Sequence, residues 1–199
     1  MTWIRTHSGE QFNLLDADAE TVKLLDIVQA LSHICRFGGH TKEFYSVLQH
    51  SLLVGEIVFG AAASEEAALV GIGKLVRTAL LHDASEAYVG DMVRPLKHTT
   101  DMGEQFRKIQ EPIEKVISER FDLVYPLPDI VLKADDIALM TEARDLIDDD
   151  TDRWDLIRKD IAPLRARISP IAHFKEVRQQ FIRAWVSFGG GDVGETDMQ

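Results

Sequence analysis

The chain has one cysteine, Cys35, in 199 residues. It can form no internal disulfide, and a reducing compartment, the cytoplasm, is the expected setting. It also lacks an unbroken apolar run of about eighteen residues, so no membrane-spanning helix and no membrane partner are expected. The opening residues MTWIRTHSGEQF contain no apolar segment of the kind a secretory leader needs. Positive charge is scarce as well: 22 Lys and Arg stand against 33 Asp and Glu, a formal net charge of −11. Duplex binding needs clustered cations, so no nucleic-acid partner is expected. The deficit leaves a small phosphate-bearing ligand open, because a metal and a few basic side chains supply positive charge locally.

What is present suits one globular domain: 45% apolar and 28% charged residues. That domain is expected over residues 1–199, with its core at about 19–188 and the segments 1–18 and 189–199 peripheral. No alternating strand pattern and no internal repeat is visible, and the fold class read from the pattern is all-α. Asp18 is placed to cap a first helix carrying Val22, Leu25, Ile27, Val28 and Leu31, which stops before Gly38-Gly39. A second helix is expected from about Tyr45 to Ala61, and a third, capped by Ser64, up to His82-Asp83. Asp101 starts a fourth that Pro112 must kink or divide. Pro126 and Pro128 open a fifth, reaching about Ile147, and an amphipathic last helix spans about Ile171 to Phe188. The acidic run Asp148–Asp152 lacks the spacing and glycine of a calcium loop and reads as a solvated turn.

The chemistry concentrates in Leu80–Lys97, LLHDASEAYVGDMVRPLK. An apolar helical run (Val76, Ala79, Leu80, Leu81) leads directly into His82-Asp83, two adjacent metal-competent side chains. Glu86 follows His82 at i+4 and shares its face if the helix continues. Gly90-Asp91 then breaks the pattern, and Arg94, Pro95 and Lys97 form a short basic turn. Buried charge must be paired or bound to metal, so a core helix that ends on imidazole and carboxylates points to a site.

The partners of His82-Asp83 can be sought by environment, because a metal ligand on a core helix has apolar neighbours at i±3 and i±4. His50 has Ser46, Val47, Leu53 and Val54 there; His33 has the mixed set Gln29, Ala30, Arg36 and Phe37. Asp135 has Val131, Leu132, Ala138 and Leu139, all apolar, whereas Asp136 has Lys133 among its neighbours. A carboxylate in an apolar column needs charge compensation. His50, His82, Asp83 and Asp135 therefore form a two-imidazole, two-carboxylate candidate set. Glu142, seven residues after Asp135 on the same face, either lines the pocket or pairs with Arg144 or Lys133.

His50, His82-Asp83 and Asp135 match the H…HD…D pattern of the HD-domain metal-dependent phosphohydrolases. The stretches YSVLQHSLLV, LLHDASEAYVGDMVRPLK and KADDIAL resemble bacterial 5′-deoxynucleotidases, and equally the phage-type enzymes that split dATP into deoxyadenosine and triphosphate. The likeness runs from about Ile27 to Leu146. It implies a compact HD-domain helical bundle with His50, His82, Asp83 and Asp135 as metal ligands, Glu86 as general acid/base and Asp91 in support. It sets Arg36, with Arg94 or Lys97, as the groups that hold phosphate. Binuclear members carry two further histidines between the HD pair and the last aspartate; here there is His98 alone, so one metal is expected. A mixed His/Asp set suits Mn²⁺, Co²⁺, Fe²⁺, Ni²⁺, Zn²⁺ or Mg²⁺. The expected partner is a small-molecule nucleotide, with a homodimer or larger homo-oligomer as the assembly. The competing class is a ligand-sensing HD domain that keeps the helices without the chemistry; loss of Glu86 or of a ligand would favour it, and none is lost.

Overall fold

In the computed structural model, residues 2–61, 69–147 and 161–191 are described. Two short strands come first, β1 (Trp3–Arg5) and β2 (Gln11–Asn13), paired antiparallel with Ile4 opposite Phe12. No strand was expected here, since three residues are too few for an alternation to register. The hairpin inserts Phe12 into the core, where it is fully buried and stacks on Tyr88 with ring centroids 3.8 Å apart.

Asp18 caps a 3₁₀ turn (Ala19–Thr21) rather than the first helix. Helix α1 (Leu24–His33) follows and buries Ile27, Val28 and Leu31. A tight turn at Arg36–Gly39 holds Phe37 (φ 54°), Gly38 (φ 61°) and Gly39 (φ 83°) in the left-handed region. Glycine adopts that region freely, which leaves Phe37 as the residue that bears the steric cost. Ser46 then caps α2 (Val47–Gly60), its hydroxyl accepting from the Gln49 amide. Ser64, the expected cap of the next helix, lies outside the described residues.

Helix α3 (Ile72–Leu80) ends at Leu81, so the helix does not continue through His82-Asp83. Those residues occupy a tight turn, and Glu86 opens the short helix α4 (Glu86–Val89). The i+4 face argument for His82 and Glu86 is thereby replaced by turn geometry. Two helices follow almost without a break, α5 (Arg94–Thr99) and α6 (Asp101–Arg120), the second running on through Pro112. Helix α7 (Asp129–Glu142) widens into a π turn at Ala143–Ile147, and α8 (Phe174–Ser187) closes the described chain. The acidic run Asp148–Asp152 lies outside the described residues.

Helix α2 is the axis of this mostly helical body, packing against α1, α3, α7 and α8. Its Val47, Leu48, Val54 and Val58 are fully buried, each worth roughly 1.5–3 kcal/mol against exposure. Gly55 sets its distance from α3: a Cβ there would lie 3.0 Å from Leu80 Cδ2 and 3.8 Å from Val76 Cγ1. A second close approach joins α5 and α6, where a Cβ on Gly103 would overlap the Lys97 carbonyl. No helix among the described residues is long and apolar enough to cross a membrane.

Candidate metal centre

His50 sits one turn into α2, fully buried, and presents a different partner to each ring nitrogen. Its Nδ1 lies 2.7 Å from Glu142 Oε1. Its Nε2 lies 3.0 Å from Asp135 Oδ1, 3.3 Å from His82 Nε2 and 3.6 Å from Asp83 Oδ2. His82 is oriented in the same way, since its Nδ1 lies 2.8 Å from the Ala79 carbonyl. A carbonyl only accepts, so this nitrogen carries the proton and Nε2 is turned toward Asp83 Oδ2 at 3.2 Å and Asp135 Oδ1 at 3.9 Å. Two imidazole nitrogens and two carboxylate oxygens, from α2, from the turn after α3 and from α7, thus converge on one small volume.

These atoms demand positive charge between them. Donors about 2.1 Å from a common divalent ion lie about 3.0 Å apart at octahedral angles and about 3.4 Å apart at tetrahedral ones. The distances here, 3.0 to 3.9 Å, bracket both values. His50, His82 and Asp83 alone form a cluster able to hold a metal, and Asp135 adjoins it through His50. Burial and Arg36 depress the His50 pKa, but Glu142 and Asp135 prevail and hold it up at about 10. Burial likewise raises Asp83, yet His82, His50 and Arg36 pull it well below the usual carboxylate range. The imidazoles form the dry floor of the centre. The two aspartates, 18% and 35% exposed, form its wet rim, so a ligand from solvent reaches the centre past them.

Glu86 lies beside this centre and is buried, with no hydrogen-bond partner for Oε2 among the described residues. Burial, together with repulsion from Asp83 and Asp91, raises its pKa well above the usual glutamate value. Asp91 is raised too, first by burial and then by Asp83, with Arg36 and Lys97 opposing. Lys97 acts on Glu86, Asp91 and Glu114 alike, so α5 carries its charge to the same side.

Arg36 reaches the centre from the left-handed turn before α2. Its Nη2 lies 3.1 Å from Glu142 Oε2, and it feels the charges of Asp83, Asp135 and Asp91. Its Nε is buried and has no partner among the described residues. Arg94 is engaged elsewhere, 3.4 Å from Asp136. His33 faces away, with Nδ1 on the Gln29 carbonyl and its ring against Phe174.

Glu142 is the residue whose partners the sequence did not reveal. It pairs with neither Arg144 nor Lys133 but with His50 and Arg36, 92 and 106 residues away. A partial signal existed: Ala138, Leu139 and Leu146 fill three of its four i±3 and i±4 positions, the fourth being Asp145.

A helical body with a histidine pair and an aspartate gathered from α2 and the turn after α3 defines an HD-type domain. The family model described as 5′-deoxynucleotidase YfbR-like matches residues 23–148, and the chain belongs to that family of HD-type hydrolases. It is 35% identical over 172 residues to uncharacterized protein YfdR of Escherichia coli K12, covering 86% of this chain and 88% of the relative. It is also 34% identical over 145 residues to an uncharacterized protein of Rhodobacter capsulatus, covering 71% and 69%.

Proposed function

We propose that the chain is a phosphohydrolase that cleaves the 5′ phosphoester of deoxynucleotides with one divalent ion. The observation that carries this reading is the convergence of His50 Nε2, His82 Nε2, Asp83 Oδ2 and Asp135 Oδ1 within 3.0 to 3.9 Å contacts, beside the buried carboxyl of Glu86. These four residues hold the ion, which when bound polarises a phosphoryl oxygen and makes water a better nucleophile near neutral pH. Glu86 handles the proton: its raised pKa lets it take a proton from the attacking water and deliver it to the departing 5′ oxygen. Burial keeps that pKa high, with repulsion from Asp83 and then Asp91 adding to it. Arg36, whose Nε has no partner among the described residues, and Lys97 hold the non-reacting phosphate oxygens. Arg94 is tied to Asp136 instead.

One reactive centre selects one phosphorus, the one joined to the 5′ carbon. A deoxynucleoside monophosphate then yields nucleoside and phosphate; a triphosphate such as dATP yields nucleoside and intact triphosphate. The test is product analysis with a panel of dNMPs and dNTPs in Mn²⁺, Co²⁺ and Mg²⁺, run in ¹⁸O-labelled water. Label is expected on the released phosphorus product and not on the nucleoside hydroxyl. Early dNDP would mean attack at the terminal phosphate and would overturn the reading. No turnover of any nucleotide, with ligand binding retained, would favour the sensing domain.

A further inference from the structure

We infer that Glu142 is a positioning residue: it fixes His50 with Nε2 free for a metal and holds Arg36 beside the same centre. The inference rests on the proposed role of His50 as a ligand. Glu142 is fully buried, where a lone carboxylate is strongly destabilising unless both oxygens are satisfied. They are satisfied separately. Oε2 accepts from Arg36 Nη2 at 3.1 Å and Oε1 from His50 Nδ1 at 2.7 Å.

The consequence for His50 follows from hydrogen-bond chemistry. A carboxylate oxygen accepts, so Nδ1 must donate, and a neutral imidazole then has its bare lone pair on Nε2. That is the nitrogen aimed at His82, Asp83 and Asp135. Helix α7 supplies both halves of the grip. Asp135 and Glu142 are seven residues apart, two helical turns on one face, and they meet opposite nitrogens of the same ring. A structural ion pair between Arg36 and Glu142 would need no imidazole.

The consequence for Arg36 is positional. It enters a turn of three left-handed residues, held at one end by its own amide on the Tyr45 carbonyl (2.9 Å) and further on by Lys42 N on the Leu146 carbonyl (2.8 Å). Glu142 anchors the side chain itself. One buried carboxylate therefore couples metal affinity to anion affinity.

The experiment measures Mn²⁺ affinity by equilibrium dialysis on full-length wild type, Glu142→Gln and His50→Ala, with inorganic phosphate affinity on the metal-loaded proteins. Glu142→Gln should bind Mn²⁺ about 10–100-fold more weakly, the range for residues that orient a metal ligand, and phosphate more weakly as well. In zinc-loaded wild type, ¹⁵N spectra should place the His50 proton on Nδ1; this readout stands even if the variant fails to fold. Wild-type Mn²⁺ affinity in folded Glu142→Gln, or a proton on Nε2, overturns the inference while leaving the ligand set intact, provided that His50→Ala loses the ion. If His50→Ala keeps wild-type affinity, the ligand assignment falls and this inference with it.

Discussion

Replacing Glu86 with glutamine separates its chemistry from its shape. The side chain is 4% exposed, its Oε2 has no hydrogen-bond partner among the described residues, and Asp83 and Asp91 both repel a charge there. As a purely structural element the carboxylate is therefore unfavourable, and an unsatisfied buried polar atom costs about 1–3 kcal/mol. Glutamine fills the same volume without the repelled charge, so Glu86→Gln should unfold at the wild-type temperature or a few degrees above it. At this size each kcal/mol moves Tm by about 2–4 °C. Activity should move the other way. A positioned acid/base group contributes about 10²–10⁴-fold, equivalent to about 2.7–5.4 kcal/mol of barrier. The assay is steady-state turnover on the best dNMP or dNTP, with elemental analysis and thermal melts on the same preparations. Unchanged turnover would remove Glu86 from the mechanism. A melt lowered by many degrees together with metal loss would mean that Glu86 holds the fold or the ion, and the proton-transfer argument would fail.

Elemental analysis of purified protein should find about one divalent ion per chain, lost in His50→Ala and Asp135→Ala. It should be kept in His33→Ala, which faces Gln29 and Phe174, and in Asp136→Ala, whose partner is Arg94. Asp145 offers a pH test away from the centre: against the cost of burial, Arg144, the Ile168 amide and Arg167 hold its pKa at about 2, below the ordinary 3.8. A lowered carboxylate pKa stabilises above the ordinary value and loses that contribution as pH falls through the folded one. Asp145→Asn should therefore cost roughly 2 kcal/mol in urea melts at pH 7, a gap that closes between about pH 4 and pH 2; a gap independent of pH would refute the pairing. Gly103→Ala should push α5 off α6 and withdraw Lys97, raising KM several-fold with metal content unchanged. Loss of the ion instead would show that α5 supports the ligands themselves.

The parts of the site legible in the sequence were those with a local signature. His82-Asp83 stood out because an apolar run ended on charge, and His50 and Asp135 because each sits among apolar neighbours at helical spacing. Glu142 carried part of that signature, broken by Asp145, and periodicity does not reveal which side chain 92 residues away satisfies a buried carboxylate. The sequence places the end of the third helix at His82-Asp83, and α3 stops there to within two residues; the shared face of His82 and Glu86 required the helix to continue, and it does not. The hairpin was missed for its three-residue strands.

Gly55 lies one and a half turns past His50, against Leu80, two residues before His82. The bare Cα at this crossing works as the pivot of a pair of calipers whose jaws are the two imidazoles. A methyl group there would meet Leu80 Cδ2 at 3.0 Å, so either Leu80 gives by a few tenths of an ångström or the arms part and the 3.3 Å bite between the two Nε2 atoms widens. Ions of different radius fit bites of different width. On the proposed ligand set, discrimination among divalent cations would then answer to a packing contact that no cation touches.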